Sequence, residues 1–207
     1  MTKSAFHDIL NRRHWIFDLD GTLTVAIHDF AAIRRTLGVP DGRDILEHLA
    51  WLPEGEALSA ERKLAEIEAE LAERTEPAVG ALQLVRTLNE KGAKLGVLTR
   101  NTRDNALNTL RRIGVLPYLA PEDVLGRDEA PAKPDPGGIL KLARAWRIEP
   151  SAAVMVGDYA FDLKTGRAAG AATIHVDPSG AFRWPELADL SVHTLAELAA
   201  ALPPAGG

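Results

Sequence analysis

The sequence predicts an α/β fold: a parallel sheet with helices on both faces, interrupted once by a small all-helical insert. Three observations carry this. Short apolar runs alternate with segments of helical spacing. Gly92, Gly114 and Gly170 follow three of the helical segments, where C-terminal caps belong. Residues 27–78 hold no strand pattern at all.

The opening stretch MTKSAFHDILNRRHW reads as a short surface helix. It has no long apolar run and carries Asp8, so it does not resemble a secretion signal. HWIFDL (14–19) is a buried strand that runs into Asp18 and Asp20. Gly21 permits a sharp turn there, so two carboxylates one residue apart can converge. A carboxylate can attack phosphorus, and a second carboxyl can protonate a leaving oxygen and later activate water.

The insert follows. HDFAAIRRTLG, GRDILEHLAWL and SAERKLAEIEAELAERTE all have helical spacing. Leu64, Ile67 and Leu71 form an apolar stripe on an acidic helix, which predicts packing against neighbouring helices. Residues 27–78 carry six Lys/Arg against twelve Asp/Glu, a net charge of −6 within a chain whose total is −5. The division is therefore 1–26 with 79–207 as the catalytic core and 27–78 as a helical cap. Arg34, Arg35, His28 and His48 are its candidates for substrate choice.

After a helix at 80–91, KLGVLT (94–99) forms the next strand and ends on Thr99-Arg100-Asn101. Asn101 can cap the helix over 102–113, with Asp104 at its third position. A helix N-terminus and the Thr99 hydroxyl together favour a phosphate oxygen. Thr99, Arg100 and Asn101 are therefore candidate substrate ligands. In Ala132-Lys133-Pro134-Asp135-Pro136 two prolines stiffen the loop and present Lys133 as a compact positive charge. A helix at 137–146 leads to strand SAAVMVG (151–157) and then Gly157-Asp158-Tyr159-Ala160-Phe161-Asp162, which opens a helix over 160–169. Asp158 and Asp162 lie four apart and can face one side. With Asp18 they make an all-oxygen donor set suited to magnesium. AATIHV (171–176) is the last strand read, and LPPAGG reads as a loose tail.

Composition sets outer bounds. The 207 residues are 46% hydrophobic and 26% charged, a globular balance. The absence of cysteine excludes disulfides, thiolate zinc sites and cysteine nucleophiles. The net charge argues against a nucleic-acid partner, and no apolar run is long enough to cross a bilayer. A cytoplasmic location is expected; oligomeric state is not legible.

Taken together and in this order, the four motifs resemble the haloacid dehalogenase superfamily: DxDGT, a Thr or Ser at a strand end, a lone Lys, then GDxxxD. The resemblance covers the chain outside the insert, and the insert's position resembles the helical-cap branch with its phosphoglycolate phosphatase-like enzymes. It implies a Rossmann-like core and Mg²⁺ held by the Asp18 carboxylate, the Asp20 backbone carbonyl and Asp158. It implies Asp18 as nucleophile, Asp20 as general acid and base, and Thr99 and Lys133 as further catalytic groups. Asp162 would orient Lys133 or metal-bound water. The expected substrate is a small phosphorylated metabolite. Other readings are a sugar-phosphate phosphomutase, which GDxxxD disfavours, and a non-catalytic phosphate-binding relative, which the complete motif set disfavours. Two departures from the family pattern bear on substrate: Leu23-Thr24-Val25-Ala26 replaces a polar or acidic pair, and the cap is short.

Overall fold

The computed structural model describes residues 3–204. A helix α1 (Lys3–Leu10) leads into strand β1 (His14–Phe17). Then come the insert helices α2 (Phe30–Leu37), α3 (Ile45–Ala50) and α4 (Glu54–Arg74). The remainder alternates as α5 (Ala81–Glu90), β2 (Lys94–Leu98), α6 (Arg103–Arg112), β3 (Val124–Leu125), α7 (Gly137–Trp146), β4 (Ala153–Gly157), α8 (Ala160–Ala169), β5 (Ala172–Val176), β6 (Leu190–Val192) and α9 (Leu195–Ala201).

The strands form one six-stranded sheet in the order β3-β2-β1-β4-β5-β6, and every pairing is parallel. Strand residues alternate between two buried faces, as a sheet covered on both sides requires. Trp15, Phe17, Val97, Val154 and Val156 pack with Leu84, Leu110 and Leu198, which come from α5, α6 and α9. Ile16, Leu98 and Met155 pack on the opposite face with Ile139 and Leu142 of α7. The expected α/β class and Rossmann-like layering are therefore present. Gly38, Gly92, Gly114 and Gly170 each adopt the left-handed conformation just past a helix.

Strands β3 and β6 are absent from the sequence reading. They are two and three residues long, too short to show any periodicity. One predicted cap is shifted: Thr102, not Asn101, precedes α6 and accepts from the Asn105 amide at 3.4 Å. Asn101 sits one residue earlier, buried, and its side-chain oxygen accepts from the Thr102 amide at 2.8 Å. The predicted tail begins as part of the core, because Leu202 is buried and Lys91 donates to the Pro203 carbonyl. Residues 205–207 of that tail lie outside the described residues. No helix among the described residues is long and apolar enough to cross a membrane.

The insert has its own apolar centre of Ile33, Val39, Leu49 and Leu64, against which Ile67 and Leu71 pack. The predicted stripe on α4 is thus spent on helix packing. The chain enters and leaves the insert through one antiparallel bridge, Thr24 with Pro77. Val25 donates to the Glu76 carbonyl and Ala78 to the Leu23 carbonyl, each at 3.0 Å. The departure from the family pattern at Leu23-Thr24 lies in this junction, where both side chains are buried.

Candidate active site

Parallel pairing brings the carboxyl ends of β1, β2 and β4 to one edge, because Phe17 is level with Val97 and Val156. Ligands of open α/β sheets bind at that edge. Asp18 follows β1, and its amide donates to the Val156 carbonyl at 2.9 Å, which fixes it beside β4. Thr99 follows β2, held by its amide to the Leu125 carbonyl at 3.0 Å. The turn after Asp18 needs Gly21 at φ 95°, a conformation that side chains rarely adopt. It lets the chain pass directly under Asp158.

Lys133 is buried, and its ammonium bridges two acids: Asp18 Oδ1 at 2.5 Å and Asp162 Oδ1 at 2.6 Å. Asp162 stands in the first turn of α8, and its other oxygen accepts from the Tyr159 amide at 3.0 Å. Thr22 Oγ1 donates to Asp158 Oδ1 at 3.4 Å. Asp18, Asp158 and Asp162 offer carboxylate oxygens within 4.8 Å of one another.

Three carboxylates around one ammonium leave an excess of negative charge, and the proton affinities record it. Burial pushes the Asp158 carboxyl up to about 8; Asp18 and Asp162 add to this and Lys133 opposes it. Burial also raises Asp162, to about 6, against the pull of Lys133. Burial by itself would lower Lys133, but Asp162 and Asp18 outweigh it and hold the ammonium above the usual lysine range. Asp20 is raised, chiefly by burial, with His28 opposing and Asp18 adding. His28 Nε2 stands 3.9 Å from Asp20 Oδ1, and its ring stacks on Phe30. An oxygen-only set short of positive charge fits a hard divalent cation such as magnesium.

These groups share a cavity of about 390 Å³ between the sheet edge and the insert. Asp18, Asp20, Thr99, Arg100, Asn101, Lys133, Asp158 and Asp162 all line it, so the candidates from the four core motifs are brought to one place. Of the insert candidates, His28 and Arg34 line the cavity; Arg35 and His48 do not. Ile33, Ile45, Leu46 and Leu64 give the insert side an apolar surface.

Two arginines of the core form ion pairs with acids of the insert among the described residues. Arg100 Nη2 donates to both oxygens of Asp44 at 2.6 and 2.7 Å. Arg127 Nη1 donates to both oxygens of Glu68, at 2.7 and 2.9 Å. Sequence reasoning missed Asp44, Glu68 and Arg127. Asp44 reads locally as the cap of α3, which it also is, and Glu68 as one of many acids on α4. Tyr159 and Phe161, which fill variable positions of GDxxxD, also line the cavity.

A family model described as haloacid dehalogenase-like hydrolase matches residues 29–176. A haloacid dehalogenase-like hydrolase domain-containing protein of Arabidopsis thaliana is 34% identical over 180 residues, covering 81% of this chain and 71% of that protein. The validoxylamine A 7'-phosphate phosphatase of Streptomyces hygroscopicus subsp. limoneus is 32% identical over 175 residues, covering 75% of this chain and 81% of its own. The crystal structure of a predicted phosphoglycolate phosphatase from Haemophilus somnus superposes with a TM-score of 0.71 at 19% identity, over 90% of this chain and 96% of that one. With this match, this sheet order and these four motifs, the chain belongs to the haloacid dehalogenase-like hydrolase family.

Proposed function

We propose that this hydrolase is a magnesium-dependent phosphatase of small phosphorylated metabolites, working through an aspartyl-phosphate on Asp18. The observation that carries the reading is the Lys133 ammonium held between Asp18 and Asp162 at the floor of the cavity. A fixed buried cation beside a carboxylate at a sheet edge suits phosphoryl transfer. Phosphatase names among the relatives support the reaction class, and their differing substrates leave the ester unnamed.

The Asp18 carboxylate attacks phosphorus, and the P–O bond to the leaving group breaks. Lys133 and Thr99 hold the phosphoryl oxygens as charge moves across them. Asp20, raised above its ordinary range, carries a proton to the departing oxygen. The same group, now ionised, accepts a proton from the water that attacks the acyl phosphate, which releases phosphate and restores Asp18. Asp162 positions Lys133 through their 2.6 Å contact. Magnesium held by Asp18, the Asp20 carbonyl and Asp158 would supply positive charge against the phosphoryl group. Residues 27–78 act as the cap, closing the cavity from solvent and touching the part of the substrate beyond the phosphate.

The test is phosphate release from a panel of phosphorylated metabolites with magnesium, followed by acid quenching and mapping of the phosphorylated residue. The expected result is turnover in wild type with label on Asp18. In Asp18→Asn, losses of several orders of magnitude are expected. Turnover of Asp18→Asn within about tenfold of wild type would overturn the mechanism.

A further inference from the structure

Arg100 touches three separate segments with one guanidinium. It follows Thr99 at the end of β2. Its Nη1 donates to the Lys133 carbonyl at 2.5 Å. Its Nη2 holds both oxygens of Asp44 in the insert. Its Cζ lies over the Phe161 ring, 4.6 Å from the ring centroid, in the first turn of α8. Asp44 is itself oriented, because Oδ1 also accepts from the Glu47 amide at 3.0 Å. From behind, Arg127 Nη1 donates to the Arg100 carbonyl at 3.2 Å while gripping Glu68.

Nη2 spends its donors on Asp44 and Nη1 spends one of its two on the Lys133 carbonyl, so both terminal nitrogens of Arg100 are held by the protein. We propose that Arg100 is a positioning residue, which makes the seating of the insert and the placement of Lys133 a single event. A guanidinium is planar and rigid, so its two terminal nitrogens move together. If Asp44 departs with the insert, the plane is free to turn, and the hold on the Lys133 carbonyl loosens. Lys133 is the group that must meet the phosphoryl oxygens. Misplacing such a group by about 1 Å can cost about 10²-fold in rate. The activity arm of this inference rests on the phosphatase reading; the labelling arm below does not.

A simple ion pair between two parts of the chain makes a different prediction. With each side chain only 23% exposed, Arg100 and Asp44 could merely hold the insert down. Loss of either partner would then have the same effect. If Arg100 also positions Lys133, its loss must cost more than the loss of Asp44.

The experiment compares Arg100→Gln, Arg100→Lys and Asp44→Asn in the full chain, with circular dichroism and thermal melting confirming the fold. Lys133 is read directly by limited acetylation with acetic anhydride and mass spectrometry, with exposed Lys63 as the internal standard. Arg100→Gln should speed acetylation of Lys133 by about tenfold relative to Lys63, as a local opening would. Arg100→Lys should fall between it and wild type, and Asp44→Asn should change it less. With p-nitrophenyl phosphate, Arg100→Gln should lower kcat by about 10²-fold with a smaller change in KM. Asp44→Asn, which keeps one acceptor oxygen for Nη2, should lower kcat in the same direction by a smaller factor. Wild-type labelling and kcat in Arg100→Gln would overturn the inference, and so would equal effects of Arg100→Gln and Asp44→Asn on both readouts. If Arg100→Gln does not fold, Arg100→Lys against Asp44→Asn decides on the same criteria. If wild type releases no phosphate from any ester, the phosphatase reading fails, while the labelling still decides the role of Arg100.

Discussion

A methyl group on Gly21 would press into the Asp158 carboxylate, 2.9 Å from its Cγ. The turn after Asp18 and the acid at the end of β4 are thus in direct contact. Gly21→Ala should displace Asp158 and strain a backbone held at φ 95°. We expect the magnesium concentration for half-maximal activity to rise about tenfold or more, since disturbing the support of a metal ligand typically costs about 10–100-fold. Magnesium titration of phosphate release checks this; an unchanged midpoint would remove Asp158 from the metal site.

Stability without metal should fall as pH rises. Asp162 and Asp158 have folded-state values of about 6 and about 8, both above the ordinary 3.8. The folded chain then binds more protons than the unfolded chain between those limits. The stability these groups contribute is complete below about pH 4 and is lost as pH rises through about 6 and then about 8. Thermal melting in a strong chelator should show Tm declining across this window. Magnesium should reverse the decline, most at the alkaline end, because a bound cation stabilises the folded state. Asp158→Asn should flatten the upper part of the curve. A Tm that is constant or rises from about pH 5 to about 9 in chelator would contradict the charge excess.

Asp20→Asn should separate leaving groups. An alkoxide needs a proton to depart, whereas p-nitrophenolate leaves largely unaided. Formation of the phospho-enzyme should slow by roughly 10²–10⁴-fold more for an alkyl phosphate than for p-nitrophenyl phosphate. Single-turnover quenching is the measurement, because breakdown of the intermediate should slow for both. Equal slowing of formation would end the acid–base assignment of Asp20.

Neighbouring arginines of the insert should behave differently. Arg34 lines the cavity, and its buried Nε has no hydrogen-bond partner among the described residues. Arg35 is exposed and lies outside. Arg34→Gln should change the ratio of kcat/KM between esters with and without a second anionic group by about tenfold, the scale of a lost charge-assisted contact. Arg35→Gln should leave that ratio within about twofold of wild type. Equal responses would remove Arg34 from substrate choice.

Much of this was legible because the signals are local. β1, β2, β4 and β5 announce themselves as apolar runs since both faces of the sheet are covered. Each chemical motif is complete within five or six residues, at the end of a strand where the sheet edge then assembles them. What was hidden is long-range. Arg100 and Asp44 are 56 residues apart, and Arg127 and Glu68 are 59. Asp44 already has a local explanation as a helix cap, and Glu68 has one as part of a charged helix, so nothing in the spacing points across the gap. The shift from Asn101 to Thr102 has a similar origin. Either residue type can cap a helix, and the choice is made by the buried surroundings of Asn101 beside Thr99, whose hydroxyl accepts from the Asn101 amide at 3.1 Å.

The bridge between Thr24 and Pro77 carries one more consequence. Exit and return occur at adjacent points, so the backbone of the 52 residues from 27 to 78 leaves and rejoins the core at one place, with side-chain ties alone joining the two further on. Lengthening, shortening or exchanging them alters no strand register in the sheet, since loop closure depends only weakly on length. The helices of a different insert, grafted between Val25 and Glu76, should fold beside an undisturbed β1 and Asp18. Changes in what this scaffold recognises and changes in how it cleaves can therefore accumulate in separate stretches of the gene, so long as an acid still meets Arg100 where Asp44 does.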